Sequence, residues 1–307
     1  LFPYTTLFRS CDGPAGLSNF ITGAYGTAYP SEVLMAQTWN TELIQEMGEK
    51  MGQEYADANN YGWYGPAMNT HRNAFAGRNF EYYSEDPVLS GYTGLAIAKG
   101  ALTKGLICAP KHFAFNDQES NRNGIAPFMT EQKARELELR SFQIAIEGGT
   151  LGVMTSFSRL GPVYVGAHQG LITDILCNEW DFHGYIITDM VNPATYMTWK
   201  ESVIAGTTNF DTNDVSDQWA AYLTADTNTF SGDATMLQAI KDRVHNTLYV
   251  YAQSNAMNGI DSSSRRVELN TWWRVAYKAV YYGAIALCAL CALGYVASAI
   301  IVKRKGC

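Results

Sequence analysis

The chain has 307 residues, a formal net charge of −7 and 47% hydrophobic residues. This length and apolar share are sufficient for one large α/β barrel or two domains of average size. Because the charge balance leaves no broad basic surface, a nucleic-acid partner is not expected. The six cysteines show neither metal-type spacing with histidines nor a dense disulfide framework, so no metal site is predicted.

The first ten residues, LFPYTTLFRS, resemble the translation of a sequencing adapter and are set aside from fold reasoning. The natural chain is therefore expected to begin upstream, where any signal peptide and further domain would lie. The remaining chain is predicted to contain a soluble domain over residues 11–258, followed by a linker and juxtamembrane segment over residues 259–278.

The opposite end of the chain is predicted to span a membrane. Residues 279–302 carry no charge, and as a helix they would extend about 36 Å, enough for a hydrocarbon core of about 30 Å. Trp272 and Trp273 fit an interfacial aromatic belt, and three basic residues follow position 302. A single pass through the cell membrane is predicted, with the bilayer as partner, residues 303–307 cytoplasmic and the soluble domain extracellular. A buried soluble helix is the alternative.

Strand-like and helix-like segments alternate in the soluble domain. Helices are predicted over residues 40–58, 88–102, 130–147 and 171–179, and strands over 62–68, 106–109, 151–155 and 184–188. The alternation favours a parallel α/β fold. Because no glycine-rich phosphate loop follows a strand, a (β/α)8 TIM-type barrel is preferred over a nucleotide-binding fold.

Polar residues close several of the predicted strands. They are Asn69, Lys111, His112, Ser156 and Asp189. Because the active sites of such barrels are assembled from different strands at their carboxyl ends, these side chains are expected to meet at one face.

Five blocks, in the same order along the chain, resemble glycoside hydrolase family 3, the family of many β-glucosidases and β-xylosidases. They are DGPAG from Asp12, GPAMNTHRNAFAGRNFEYYSEDP from Gly65, KHFAFNDQESNR from Lys111, MTSFSRLG from Met154 and EWDFHGYIITDM from Glu179. The resemblance implies a retaining, exo-acting β-glycosidase for a β-linked oligosaccharide or glucoside, with no metal and no cofactor. It also implies that the first barrel strand, which precedes DGP in the family, is missing, so an incomplete barrel is predicted.

The resemblance assigns roles to individual positions. Asp189 matches the catalytic nucleophile. The positions that match substrate-binding residues or walls of the sugar and leaving-group subsites are Asp12, Arg78, Lys111, His112, Met154, Phe157 and Met190. Arg72 and Arg122 match positions near the pocket, and Glu119 is expected to brace its loop through Arg122. As a structural alternative, Arg78 could pair only with Glu81 or Glu85.

The chemistry of retaining hydrolysis sets two requirements. One carboxylate attacks the anomeric carbon and one acid protonates the leaving oxygen, with the two groups about 5–5.5 Å apart. Lys111 and Arg78 are expected to hold the pKa of Asp189 low, so that the nucleophile is ionised.

Three departures from the family affect the predicted activity. Met190 occupies a position that is commonly Trp, and Phe157 replaces a Tyr, which removes a hydroxyl near the nucleophile. No acid/base residue is identified, and this group is expected in a missing upstream domain. The 307 residues alone are therefore expected to fold poorly or hydrolyse slowly. The alternatives are an inactive membrane-anchored carbohydrate-binding remnant, a β-xylosidase, or a structural membrane protein that is a barrel by descent only.

Overall fold

The computed structural model describes residues 10–13, 15–19, 23–191, 196–211, 232–257 and 272–305. The chain divides into two compact units, Leu1–Gly259 and Ile260–Cys307.

Short parallel strands form the wall of the first unit. In chain order they are Ser10–Cys11, Gly62–Trp63, Ile107–Cys108, Gly152–Thr155 and Tyr185–Thr188. The first three pair in that order, and the last two pair with each other. A parallel bridge between Phe113 and Thr155 joins the two sets, and a parallel bridge from Ile187 to Asn209 continues the order. All carboxyl ends therefore lie at one face, as in a TIM-type barrel.

Helices alternate with these strands. They are Glu32–Gln37, Thr41–Asp57, Pro87–Leu102, Glu131–Lys133, Arg140–Glu147, Trp199–Ala205 and Ala234–Gln253. Two segments have π-helical hydrogen bonding, Ala134–Glu138 and Gly170–Glu179, and two short 3-10 turns are Val165–Ala167 and Asn255–Met257. Two-residue antiparallel pairs join Ser18–Asn19 to Ala24–Tyr25 and Arg159–Leu160 to Val163–Tyr164.

Helical segments occur at all four predicted positions, although the one predicted over residues 171–179 has π-helical hydrogen bonding throughout. Start signals explain two of them. Asn40 accepts a hydrogen bond from the N–H of Leu43 at 3.0 Å, and Thr130 accepts one from Lys133 at 3.2 Å. These side chains satisfy N–H groups that have no partner within the first helical turn. The predicted helix over residues 130–147 differs in one respect, because a π turn interrupts it.

Glycines allow the helices Thr41–Asp57 and Pro87–Leu102 to approach closely. A Cβ atom on Gly48 would overlap the carbonyl oxygen of Ile97, and one on Gly100 would overlap that of Gln45. These glycines therefore set the distance between the two helices.

The prediction that the first barrel strand is missing is wrong. Ser10 and Cys11 pair in parallel with Gly62 and Trp63. Strand pairing uses backbone N–H and C=O groups, which every sequence supplies. Ser10 can therefore extend the sheet although it belongs to the ten adapter-like residues. The described strands are nevertheless fewer than the eight of a complete barrel.

The inside of the strand ring is filled by side chains. This cluster consists of Ile107, Ala109, Met154, Tyr185, Ile187 and Val250. Alternate residues of one strand face the same side, so Tyr185 and Ile187 both point inward. Val250 comes from the helix Ala234–Gln253, which the sequence analysis did not predict. The larger core includes Tyr55, Trp63, Phe113 and Phe142, all fully buried.

The second unit contains the helix Trp272–Lys305. Its segment Val275–Ser298 has 24 residues and a mean hydropathy of 1.9, so by length and composition it could cross a membrane. Most of the predicted linker and the last two residues of the predicted tail lie outside the described residues.

Candidate active site

Asp189 lies where the strand Tyr185–Thr188 ends, at the face where the carboxyl ends meet. Its N–H donates to the carbonyl oxygen of Thr155 at 3.0 Å, and Oδ1 accepts the N–H of Met190 at 2.7 Å. Oδ2 lies 3.6 Å from Nε2 of His112. The carboxylate is thus fixed at the strand end, with its second oxygen facing the histidine.

Lys111 holds two carboxylates together beside Asp189. Its Nζ lies 2.7 Å from Oδ1 of Asp12 and 3.3 Å from Oε1 of Glu81, although the lysine side chain is only 3% exposed. Burial alone would lower the pKa of Lys111, but the two carboxylates outweigh it and raise the pKa. Lys111 is therefore a buried, charged donor.

Arg78 connects this cluster to His112. Its Nε and Nη2 donate to the two oxygens of Glu81 at 2.6 and 2.7 Å, and its Nη1 lies 3.1 Å from Nε2 of His112. Burial would raise the pKa of Glu81, but Lys111 and Arg78 lower it. Arg78 therefore makes the pairing with Glu81 that was its structural alternative, and its role in substrate binding stays a prediction.

His112 is buried and neutral. Burial lowers its pKa well below the usual range, and the cations Arg78, Lys111 and Arg122 add to the shift. Since a guanidinium N–H can only donate, Nε2 is the acceptor and the proton lies on Nδ1, which is 3.4 Å from the hydroxyl oxygen of Tyr82. Because the ring carries no positive charge, His112 does not form an ion pair with Asp189.

Asn69 fixes the backbone of His112. Its Oδ1 accepts the N–H of His112 at 2.7 Å, and its Nδ2 donates to the carbonyl oxygen at 3.0 Å. Ser156 donates similarly to the carbonyl oxygen of Ala114 at 2.6 Å. These two predicted strand-end residues therefore position the backbone around the site.

The depressed pKa of His112 predicts a pH-dependent stability. Below the ordinary histidine pKa, the unfolded chain binds a proton that the folded chain does not. The free energy of unfolding should therefore decrease as the pH is lowered below the ordinary histidine pKa, by up to about 1.4 kcal/mol per pH unit for this group. We expect His112→Gln to remove this component in denaturant unfolding at pH 7 and pH 5.

His183→Gln is the control, because the side chain of His183 is 67% exposed. An unchanged pH dependence in His112→Gln, matching that of the control, would contradict the assignment of a buried neutral ring.

The pKa of Asp189 is raised, contrary to the expectation from the sequence. Burial has the largest effect, and the Met190 N–H, Lys111, Arg122 and Arg78 only partly oppose it. The expected cations are present, but Lys111 is paired with Asp12 and Glu81, and Arg78 also pairs with Glu81. The negative charges of Asp12 and Glu81 therefore offset much of the stabilisation that these cations would give to an ionised Asp189.

Asp12 lies in a glycine-dependent turn opposite Lys111. Gly13 has φ +132°, and a Cβ atom on it would overlap the carbonyl oxygen of Gly16. Trp63 Nε1 donates to the carbonyl oxygen of Gly13 at 2.9 Å. Burial would raise the pKa of Asp12, but Lys111 lowers it, and the side chain is 51% exposed. It is a carboxylate that can reach a ligand.

The other predicted wall residues differ in exposure. Phe157 is buried, and the guanidinium of Arg122 lies 4.5 Å from its ring centre. Glu119 contacts Arg122 at 3.2 Å, as expected for a brace. Met190 is 36% exposed at the rim, whereas Met154 lies in the interior cluster.

Arg72 contacts two carboxylates that do not contact Asp189. It pairs with Asp117 and lies 3.2 Å from Oε1 of Glu138. Burial, with a smaller contribution from Asp117, raises the pKa of Glu138 to about 7. Arg72 therefore belongs to a separate charge cluster, in which Glu138 is buried and Arg72 itself is partly exposed.

Sequence reasoning missed Glu81 as a central residue of the site. The available signal for Glu81 was its i, i+3 spacing from Arg78. Among the residues that the structure describes, no group of three or more His, Cys, Asp or Glu side chains is arranged to hold a metal ion.

The sequence profile described as "Glycosyl hydrolase family 3 N terminal domain" matches residues 4–208. The chain belongs to glycosyl hydrolase family 3. The match begins within the ten residues that were set aside, and it includes the family-like blocks from Asp12 to Asp189.

Similar proteins of family 3 are much longer than this chain. It is 38% identical over 183 residues to beta-glucosidase A of Butyrivibrio fibrisolvens, covering 59% of this chain and 22% of that protein. It is 36% identical over 201 residues to probable beta-glucosidase I of Emericella nidulans, covering 64% and 24% respectively. The chain therefore spans about a quarter of the length of these relatives.

Solved family 3 structures have the same fold. Beta-glucosidase 3B from Thermotoga neapolitana in complex with glucose superposes with a TM-score of 0.72 at 32% identity, covering 82% of this chain and 36% of that one. A beta-glucosidase from Paenibacillus barengoltzii gives a TM-score of 0.74 at 26% identity, covering 85% and 29%. These likenesses show the TIM-barrel-like α/β fold of family 3.

Proposed function

We propose that this chain supplies the catalytic barrel of a retaining, exo-acting β-glucosidase in which Asp189 forms a covalent glycosyl intermediate. The carrying observation is the position of Asp189 at a strand end, 3.6 Å from Nε2 of the buried His112. Lys111 and Arg78 lie in the same network. The names of the relatives support a glucoside as substrate.

The network around Asp189 suits a polyhydroxylated ring. Each sugar hydroxyl both donates and accepts, so it needs partners of both kinds. Asp12 offers carboxylate oxygens, Lys111 and Arg78 offer charged donors, and His112 offers a ring nitrogen. Ion pairs with Glu81 fix Lys111 and Arg78, and Lys111 in turn holds Asp12. Little reorganisation is therefore needed when the sugar binds.

Asp189 acts as the nucleophile in its ionised form. Its carboxylate oxygen forms a bond to the anomeric carbon as the bond to the leaving oxygen breaks, and water then displaces Asp189. Since burial raises the pKa of Asp189, kcat/KM should fall on the acid side at a higher pH than an ordinary aspartate would give.

The stereochemistry of hydrolysis tests this mechanism. The purified chain is mixed in detergent with 4-nitrophenyl β-glucoside, and the first sugar product is followed by proton NMR. β-Glucose should appear before mutarotation, because two displacements retain configuration. α-Glucose as first product would overturn the retaining mechanism.

The same assay addresses the alternatives. Faster cleavage of the β-xyloside than of the β-glucoside would assign β-xylosidase specificity. Glucose binding by calorimetry without cleavage of either substrate would instead support an inactive carbohydrate-binding remnant.

A second proposal is that the helix Trp272–Lys305 anchors the chain in a bilayer as a single pass, with the barrel outside the cell. Its segment Val275–Ser298 has a mean hydropathy of 1.9, and Trp272, Tyr277 and Tyr281 can occupy the interface. The chain expressed in cells should resist carbonate extraction, and truncation after residue 271 should release it. Extraction of the full chain into the soluble fraction would contradict anchoring.

A further inference from the structure

We propose that Glu138 is a positioning residue of the candidate active site. Together with Arg72 and Asp117, it anchors the segment 116–122, which carries side chains into the network around the nucleophile position. The kinetic consequence of this inference rests on the proposed function, whereas the anchoring itself can be measured without turnover.

Glu138 is a buried carboxyl group at the end of a π turn. The turn spans Ala134–Glu138 and is closed by a hydrogen bond from the N–H of Leu139 to the carbonyl oxygen of Ala134 at 2.8 Å. Glu138 is 1% exposed, whereas its apolar neighbour Leu137 is 41% exposed. A glutamate is rarely buried this completely unless it is paired, and π turns occur frequently at functional sites. The partners of Glu138 therefore indicate its role.

Side chains from two other segments surround the carboxyl group of Glu138. Nη1 of Arg72 lies 3.2 Å from Oε1 and also pairs with Oδ2 of Asp117. The hydroxyl group of Thr70 donates to Oε2 at 3.4 Å. The carboxyl groups of Glu138 and Asp117 also share a hydrogen bond. Arg72 and Glu138 thus hold Asp117 from two sides.

Asn116, the residue before Asp117, connects this anchor to the site. Its Nδ2 donates to the hydroxyl oxygen of Tyr82 at 2.6 Å and to Oε1 of Glu119 at 3.2 Å. The hydroxyl oxygen of Tyr82 lies 3.4 Å from Nδ1 of His112. A shift of the segment would therefore change the contacts of the histidine that faces the nucleophile position.

Glu119 and Arg122 form the other end of the segment. Glu119 lies 3.2 Å from Arg122 and 3.6 Å from Arg78. The guanidinium of Arg122 lies 4.5 Å from the ring centre of Phe157, and its charge acts to lower the pKa of Asp189. The position of the segment therefore affects both the shape and the charge of the site.

The protonation of Glu138 controls the strength of the anchor. Burial has the largest effect and raises its pKa to about 7, with a further contribution from Asp117. Arg72 and Lys133, the cations that act on it from the preceding loop and the adjoining helix, oppose this shift. With one proton on the pair, the two carboxyl groups hydrogen-bond to each other. Without that proton, two adjacent negative charges repel each other.

Linkage gives the direction of the pH dependence. When the segment is open, Glu138 titrates near its ordinary pKa of 4.5, whereas in the anchored form its pKa is about 7. Between these values only the anchored form keeps the proton. The anchor should therefore be strongest below pH 4.5 and should weaken up to about pH 7, by at most about 10-fold in its closing equilibrium per pH unit.

Hydrogen exchange of the full chain in detergent measures the anchor directly. The amides of Glu119, Arg122 and Gly124 donate to carbonyl oxygens at 2.9, 3.2 and 3.1 Å, so they report on opening of the segment. Their protection, corrected for the intrinsic exchange rate, should fall by about 10- to 100-fold between pH 5 and pH 7.5.

Glu138→Gln separates this role from a merely structural one. Glutamine imitates the protonated form, because its amide N–H can donate to Asp117 while its oxygen accepts from Thr70. The segment should stay protected, and its protection should change by less than about 3-fold between the two pH values. Glu136→Gln, exposed in the same π turn, is the matched control and should keep the wild-type pH dependence.

Inhibition by glucose measures the consequence for the site. Glucose has no group that titrates between pH 5 and pH 7.5, and 2,4-dinitrophenyl β-glucoside has a leaving group that needs no proton. The inhibition constant of glucose against this substrate should rise by about 3- to 10-fold over this range in wild type and in Glu136→Gln. It should change by less than about 2-fold in Glu138→Gln.

The two measurements separate failure of this inference from failure of the proposed function. An unchanged pH dependence of exchange in Glu138→Gln would overturn the anchor, whatever the hydrolytic activity. The expected exchange with the same pH dependence of glucose inhibition in all three chains would overturn the positioning role. The expected exchange in a wild type that does not hydrolyse the glucoside would support the anchor and overturn the proposed function.

Discussion

Asp189→Asn is expected to lower kcat/KM for 2,4-dinitrophenyl β-glucoside by roughly 10⁴- to 10⁶-fold, the range seen when a nucleophile is removed from an intact site. The amide is nearly the same size as the carboxylate, so the hydrogen bond from the Met190 N–H to Oδ1 can be kept. What is lost is the negative charge that attacks the anomeric carbon. Steady-state kinetics of the purified full chain measures the effect.

A control variant and a folding check accompany this measurement. Asp181→Asn, at a side chain 90% exposed, should retain wild-type kinetics, and the circular dichroism spectrum of Asp189→Asn should match that of wild type. A loss of less than 10-fold in a folded Asp189→Asn chain would show that another group attacks the sugar.

Glu81→Gln is expected to lower the free energy of unfolding by about 3–5 kcal/mol, the usual cost of breaking a buried ion pair by removing one partner. Glu81 accepts two short hydrogen bonds from Arg78 and lies 3.3 Å from Lys111, and its side chain is only 4% exposed. Its loss leaves Lys111 with one half-exposed carboxylate, Asp12, and leaves Arg78 with only the more distant Glu119, at 3.6 Å. Denaturant unfolding at constant pH measures the change.

Glu85→Gln is the matched control for this prediction. Glu85 is exposed in the same loop and was the other sequence candidate for pairing with Arg78. Its substitution should change stability by no more than about 0.5 kcal/mol. If both variants lowered the free energy of unfolding equally, the buried network would stabilise the fold no more than an exposed charge does.

Much of the fold could be predicted because its signals are local. Caps such as Asn40 and Thr130 identify helix starts, and Asp189 and Lys111 follow short apolar runs. The helix Ala234–Gln253 was missed although its inward residue, Val250, closes the interior cluster. Only two of its residues are buried, so its sequence carries a weak periodic pattern.

The unpredicted features of the site depend on non-local pairing. Lys111 reaches Asp12 across 99 positions of the sequence, through strand pairings that local patterns do not show. Likewise, the pKa of Asp189 is raised because its burial outweighs the Met190 N–H and the neighbouring cations, a balance that residue types alone do not show. Residue types predicted which groups meet, but not how their charges balance.

The most direct test of the central claim is to identify the residue that carries the sugar. The full chain is inactivated with 2,4-dinitrophenyl 2-deoxy-2-fluoro-β-glucoside, digested and analysed by tandem mass spectrometry. We expect one fluoroglucosyl group, attached to Asp189. A label on any other residue, or none at all, would contradict the assignment of Asp189 as nucleophile.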